Sequence, residues 1–268
     1  MGCPDSKRNG GLYQSLNHLK IIAGGGGAAS KSSRPAIEEA LSMANHEKPK
    51  VLIIPTPKRT LEAFNATVPS TQHFFERTLG LETDLLHSFG EDINPEQAHD
   101  LIDAADVIYT TGGDTLHMME VLRANRLTEY IAKKALAGTV VLSGISAGAI
   151  LPMSWGHSDS LSYRPETETS WQYVRVDGLG LVPFAITPHF NTTHERLGER
   201  SEQFKDMLKT EPTIPALGVD NLAAIRIVDG HATQFQSDPG HYVHVAQHAP
   251  DGRITFAPMT KDDSIKLS

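Results

Sequence analysis

One cysteine, Cys3, is all the thiol chemistry this 268-residue chain holds, so no disulfide can form within it and a thiol nucleophile is not expected. A reducing, cytoplasmic compartment suits such a chain. Long apolar runs are missing too. No stretch approaches the roughly 18 apolar residues of a membrane span, and the first residues lack the apolar centre of a signal peptide, so no membrane partner is expected. Positive charge is scarce: Lys plus Arg number 24 against 32 for Asp plus Glu, a net −8. With no long block of one sign, a nucleic-acid backbone is a poor partner. Met1-Gly2 with Ser6 meets the loose myristoylation pattern beside Cys3, but Pro4 is awkward for it and lipidation is not expected. No internal repeat or low-complexity linker divides the chain, whose length suffices for one well-packed α/β domain. The expected organisation is a flexible segment over residues 1–17 and a single domain over 18–268.

What the chain does contain is alternation. Apolar, strand-like stretches at 18–22, 50–54, 82–87 and 106–111 are separated by helix-like stretches at 35–45, 70–79 and 95–105. Ser33 is read as the cap of the first helix and Asn94 as the cap of the third, each followed by a proline in the first turn. Two short helices follow at 116–122 and 129–136. Strand and helix in this order predict a mostly parallel sheet with helices on both faces. Residues 155–173 show no clear period and are expected to form a long loop or hairpin over the site. Residues 180–190 read as a strand and 195–209 as a charged helix. The stretches 223–228, 232–236 and 241–247 alternate as a C-terminal antiparallel hairpin region would.

Ligands of such sheets sit outside the carboxyl ends of the strands, and three glycine-rich turns fall there. Gly24 to Gly27 invites a phosphate-loop reading, but Ser30 stands where the second glycine of that pattern must be, so a tight turn is the better reading and no cofactor is expected. The second turn is Thr111-Gly112-Gly113-Asp114-Thr115. In the third, Thr139-Val-Val-Leu-Ser-Gly-Ile-Ser-Ala-Gly-Ala149, an apolar strand meets a G-x-S-x-G turn centred on Ser146. Small neighbours at Gly144 and Gly148 let the chain bend sharply and leave a serine hydroxyl exposed, the arrangement of a nucleophile elbow. A serine needs a base to take its proton. Of the 13 histidines, His189, at the end of a strand between Pro188 and Phe190, is best placed. His194 lies near it in sequence, but no third ligand accompanies the two, so no metal is expected.

These three segments, Thr111 to Thr115, Gly144 to Ala149 and Pro188-His189-Phe190, together resemble the peptidase E (aspartyl dipeptidase) and cyanophycinase family of serine peptidases over about residues 18–230. That family shares its sheet architecture with class I glutamine amidotransferases, so the resemblance implies a class I glutamine amidotransferase-like, flavodoxin-like α/β fold. It implies Ser146 as nucleophile, His189 as general base, and the backbone amides of Gly113 and Ala147 as oxyanion hole. Asp114 departs conservatively from the family's usual Gly-Gly-Asn. The third member departs further. Where the family often has a glutamate after a Gly-Ile-Asp turn, this chain has Gly218-Val-Asp-Asn221. Asp220 is the preferred acid, followed by Asp159, while Asn221 can orient an imidazole without stabilising its charge.

The family's substrate arginine corresponds to Arg200, or Arg196 as second choice, against the alternative of a solvated helix face with Glu-Arg pairs. The resemblance thus implies a small-peptide substrate, a dipeptide beginning with aspartate, hydrolysed through an acyl-enzyme. Three other readings stand beside it: a catalytically impaired amidotransferase-like binding module, a cyanophycinase-like hydrolase of aspartyl-linked peptides, and a nucleotide-binding protein using Gly24 to Gly27. Whether a homodimer forms is left open by the sequence.

Overall fold

The computed structural model describes residues 16–27, 33–86, 93–164, 170–211 and 214–267. The expected N-terminal segment therefore lies almost entirely outside the described residues, as do Ser30, His87 and the middle of the expected 155–173 loop.

Among the described residues, an eight-stranded sheet has five parallel strands at its centre and one edge: β1 (Ile21–Gly24), β2 (Val51–Ile54), β3 (Thr83–Leu85), β4 (Val107–Thr110) and β5 (Val141–Ile145), in the order β1-β5-β4-β2-β3. β1, β2 and β4 are buried along their whole length, which is why they read as unbroken apolar runs. The crossovers are α1 (Arg34–Ser42), α2 (Leu61–His73), α3 (Pro95–Ala104), and the pair α4 (Thr115–Ala124) and α5 (Leu127–Leu136). Asn94 caps α3 by accepting from the Glu96 and Gln97 N–H groups. Ser33 precedes α1 but makes no side-chain cap bond.

Helix α2 begins nine residues before the expected start. Thr60 caps it by accepting from Ala63 N–H, and Pro69, which reads as a boundary, lies inside it. The helix then widens into a π turn over Phe74–Thr78, seating Phe74 and Phe75 in the core.

A second, six-stranded sheet is the largest departure from the sequence reading. It comprises β6 (Met153–Ser158), β7 (Val174–Asp177), β8 (Val182–Pro188), β11 (Ala216–Val219), β14 (Val243–His248) and β15 (Ile254–Pro258), in the order β15-β14-β11-β8-β6-β7. β6, β8 and β11 run parallel, and β7, β14 and β15 run antiparallel to their neighbours. The 155–173 segment is thus the hairpin option, β6 turning back to β7. Between β8 and β11, the first residues of the expected charged helix instead form a small ribbon of β9 (Thr193–His194) and β10 (Gly198–Glu199). The helix itself, α7, spans Arg200–Leu208.

The tail divides between the sheets. β12 (Ala223–Val228), β13 (His231–Gln236) and β16 (Ile265–Lys266) extend the first sheet beyond β1, each antiparallel to the strand before it, and β14 and β15 close the second. One core joins the two: residues such as Ile21, Leu142 and Ile225 from the first sheet pack in the same cluster as Val182, Ile186 and Leu217 from the second. No helix among the described residues is long and apolar enough to cross a membrane.

Candidate active site

β5 passes straight into α6 (Ala147–Ile150), four buried residues wedged against both sheets. The turn between them is tight: a Cβ on Gly144 would sit 2.8 Å from the Gly148 Cα, closer than carbon atoms approach. Ser146, at the apex, takes φ 55 and ψ −109, a sparsely populated conformation that costs on the order of 1–3 kcal/mol and persists only where its surroundings enforce it. The enforcement is visible. Its N–H donates to the Gly24 carbonyl at 3.0 Å, and its own carbonyl accepts from Ala149 at 3.0 Å.

His189 ends β8, also with φ 55. Its N–H donates to the Gly25 carbonyl at 3.0 Å, and the next carbonyl, of Gly26, accepts from Leu222 at 3.2 Å. Three successive glycine carbonyls thus hold the serine of the first sheet, the histidine of the second, and the turn that leads from β11 back to β12. Gly26 admits no side chain: a Cβ there would lie 2.2 Å from Asn221 Oδ1 and 2.4 Å from His189 Cε1. The glycine run is the template on which the site is assembled.

Behind the imidazole stands Asn221, whose Oδ1 is 2.7 Å from His189 Nδ1. An amide oxygen only accepts, so Nδ1 carries the proton and Nε2 is left with its lone pair. The imidazole pKa is held below the ordinary histidine value, chiefly by burial and then by the positive charge of Arg200, against the opposing Asn221 hydrogen bond and the Asp159 charge. Ser146 Oγ and the His189 ring are not hydrogen-bonded to each other, a looseness common in sites without substrate.

The preferred third member, Asp220, is elsewhere. It is buried, but its Oδ2 accepts from Tyr242 N–H at 2.9 Å and meets His244 Nε2 at 3.2 Å. Consecutive residues leaving a strand face opposite ways, so Asp220 turns to β14 and Asn221 to the histidine. Asp159 is paired with Arg200 Nη1 at 3.4 Å and reaches His189 only through its field. Arg200 is not a free clamp either. Its side chain is 4% exposed, and it also donates to Thr187 Oγ1 and the His157 carbonyl and lies over the Tyr173 ring. Arg196 donates to the Trp171 carbonyl and stacks over that indole.

The Gly112-Gly113 turn covers the elbow from the side of β4. A Cβ on Gly112 would be 3.1 Å from Ser146 Cβ, while Gly113, at φ 141, packs on the Pro57 carbonyl. Among the described residues, neither the Gly113 nor the Ala147 N–H donates to a backbone carbonyl, so both remain available to an oxyanion. Asp114 caps α4 by accepting from His117 N–H at 3.1 Å, a task aspartate and asparagine perform equally well. No cluster of three or more metal-ligating side chains occurs among the described residues.

The model of Peptidase family S51 matches residues 20–235. A curated relative, Peptidase E of Nostoc sp., is 28% identical over 197 residues, covering 72% of this chain and 78% of its own. The uncharacterized peptidase YgaJ of Bacillus subtilis is 26% identical over 236 residues, 85% of this chain and 93% of its own. The crystal structure of a peptidase from an acI-B1 Actinobacterium superposes with a TM-score of 0.65 at 22% identity, covering 94% of this chain and 98% of the other.

Proposed function

Because this chain belongs to peptidase family S51 and is therefore a peptidase, we propose that it hydrolyses short peptides by serine acyl transfer, with Ser146 as nucleophile and His189 as general base. Asn221 fixes the histidine tautomer so that Nε2 faces its task as acceptor. The Gly113 and Ala147 N–H groups receive the negative oxygen of the tetrahedral intermediate. His189 takes the serine proton, returns it to the departing amine, and then activates the water that releases the acyl group. Its lowered pKa keeps the ring neutral, and hence basic, at neutral pH.

The observation that carries this reading is the glycine turn of β1. It holds the serine backbone through Gly24 and the histidine backbone through Gly25, so two residues from different sheets are anchored on consecutive residues of one turn. Peptides beginning with aspartate are the substrates to try first, since a relative bears the name Peptidase E and the three motifs resemble that family. An asparagine in place of an acid favours one rival, a binding module with impaired catalysis, because Asn221 supplies no charge to an imidazolium.

One experiment separates the two. Ser146→Ala should lower peptidase turnover by at least about 10² to 10³, because it removes the atom that forms the acyl-enzyme. A fluorophosphonate should label the parent protein at Ser146 and fail to label the variant. Turnover unchanged in Ser146→Ala overturns the serine mechanism, and a parent protein that binds peptides without cleaving them is the module.

A further inference from the structure

Lys58 sits in the turn after β2, its N–H bonded to the Pro55 carbonyl at 2.8 Å. It borders a cavity of about 280 Å³, near the lower end of the roughly 300–1,000 Å³ usual for small-ligand sites. Thr67, Ser70 and Thr71 of α2 line it as well, the last two with their hydroxyls donating to the Thr67 carbonyl, and so do Gly112 and Ile145. Gly112 and Ile145 adjoin the site, since Ile145 precedes Ser146 and Gly112 packs against the serine Cβ.

The charge in this cavity is one-sided. In a chain of net charge −8, no aspartate or glutamate is among the described residues that line it. Among the described residues no carboxylate pairs with the ammonium, and burial lowers its pKa. A cation partly withdrawn from water without a counter-ion is destabilised relative to one that has it. Arginine offers no substitute here, since Arg200 is already engaged with Asp159, Thr187 and the His157 carbonyl.

We propose that this cavity is a carboxylate subsite of the peptidase, with Lys58 the residue that pairs with a carboxylate of a short peptide whose scissile carbonyl lies at Ser146. This rests on the serine-peptidase reading and adds a specificity residue to it. The carboxylate has two sources, the side chain of an amino-terminal aspartate or the carboxyl terminus of a dipeptide, and both present the same chemistry to an ammonium.

The test uses Asp-Leu, its carboxyl-terminal amide, and Asn-Leu, with the parent protein, Lys58→Met and Lys58→Arg. Replacing the carboxylate that Lys58 holds should lower the parent kcat/KM by roughly 10- to 100-fold, the scale of one charge-assisted hydrogen bond, mostly through KM. Loss with the amide identifies the carboxyl terminus, and loss with Asn-Leu the side chain. Lys58→Met should erase that same discrimination, and Lys58→Arg should restore most of it. Fluorophosphonate labelling of Ser146, which involves no substrate carboxylate, reports in each variant that the elbow is intact. A parent indifferent to both replacements, or a Lys58→Met variant that keeps the full discrimination, overturns the proposal. Failure to label Ser146 in the parent overturns the serine mechanism instead.

Discussion

At the scale of the residue, the site turns on which way two neighbours face. Asn221, not Asp220, is hydrogen-bonded to His189, so a neutral dipole stands where an acid was expected, and the pH profile should show it. The folded pKa of His189 is below the ordinary value of about 6.5, and the proposed reaction needs the neutral ring. kcat/KM should therefore hold as pH falls through 6.5 and drop only below it. Asn221→Asp places a charge behind Nδ1 that favours imidazolium, so the acid limb should move to higher pH. A limb that stays put on measuring kcat/KM from pH 4.5 to 8 would remove Asn221 from behind the base. The sharp turn at Ser146 and the strand end before His189 were legible in the sequence because each lies in a short motif whose conformation is local. The choice between Asp220 and Asn221 was not, because it depends on the pairing of β11 with β14, and that register links residues far apart in the chain.

At the scale of the element, the parallel strands and α3 to α5 could be read from apolar runs, caps and glycine turns, because local propensity and burial agree there. α2 could not. Pro69 is an exposed residue within it; it lacks an N–H for the Asn65 carbonyl and normally ends a helix. Here the Thr60 cap at one end and burial of Phe74 and Phe75 at the other outweigh that cost. Restoring the donor should then stabilise the fold. Pro69→Ala is expected to raise unfolding stability by about 1–3 kcal/mol, read from urea midpoints at constant m. A loss of stability would mean that the proline is part of the helix's required shape. The ribbon at 193–199 misled for the opposite reason: its charges suit a helix, but Gly198 at φ 77 and the β9–β10 pairing start the helix only at Arg200.

At the scale of the whole molecule, two sheets share one core and one site; β8 and β14 could be read as strands, but not the sheet they join, because its pairings link segments far apart in the chain. β6 delivers His157, fully buried, to the other face of the second sheet, with Nδ1 3.0 Å from Thr187 Oγ1 and Nε2 without a partner among the described residues. Its ring lies against Tyr173 and Phe204, and its carbonyl receives Arg200. Burial first, and then the Arg200 charge, push its pKa well below the ordinary value. The sign follows. As pH falls below about 6.5 the unfolded chain takes up a proton at this histidine and the folded chain does not, so stability is present above that pH and lost on acidification. The slope approaches about 1.4 kcal/mol per pH unit for one such group until its folded pKa is reached, and His189, shifted the same way, adds to it. Between pH 5 and 6.5, above the range where most carboxylates titrate, His157→Phe should flatten the fall in urea-derived stability by up to that slope. It gives up the Thr187 bond, while Thr187 keeps its contact with Arg200 Nε. If the variant loses stability with pH as steeply as the parent over that window, the acid sensitivity arises elsewhere than in the packing of β6 against α7.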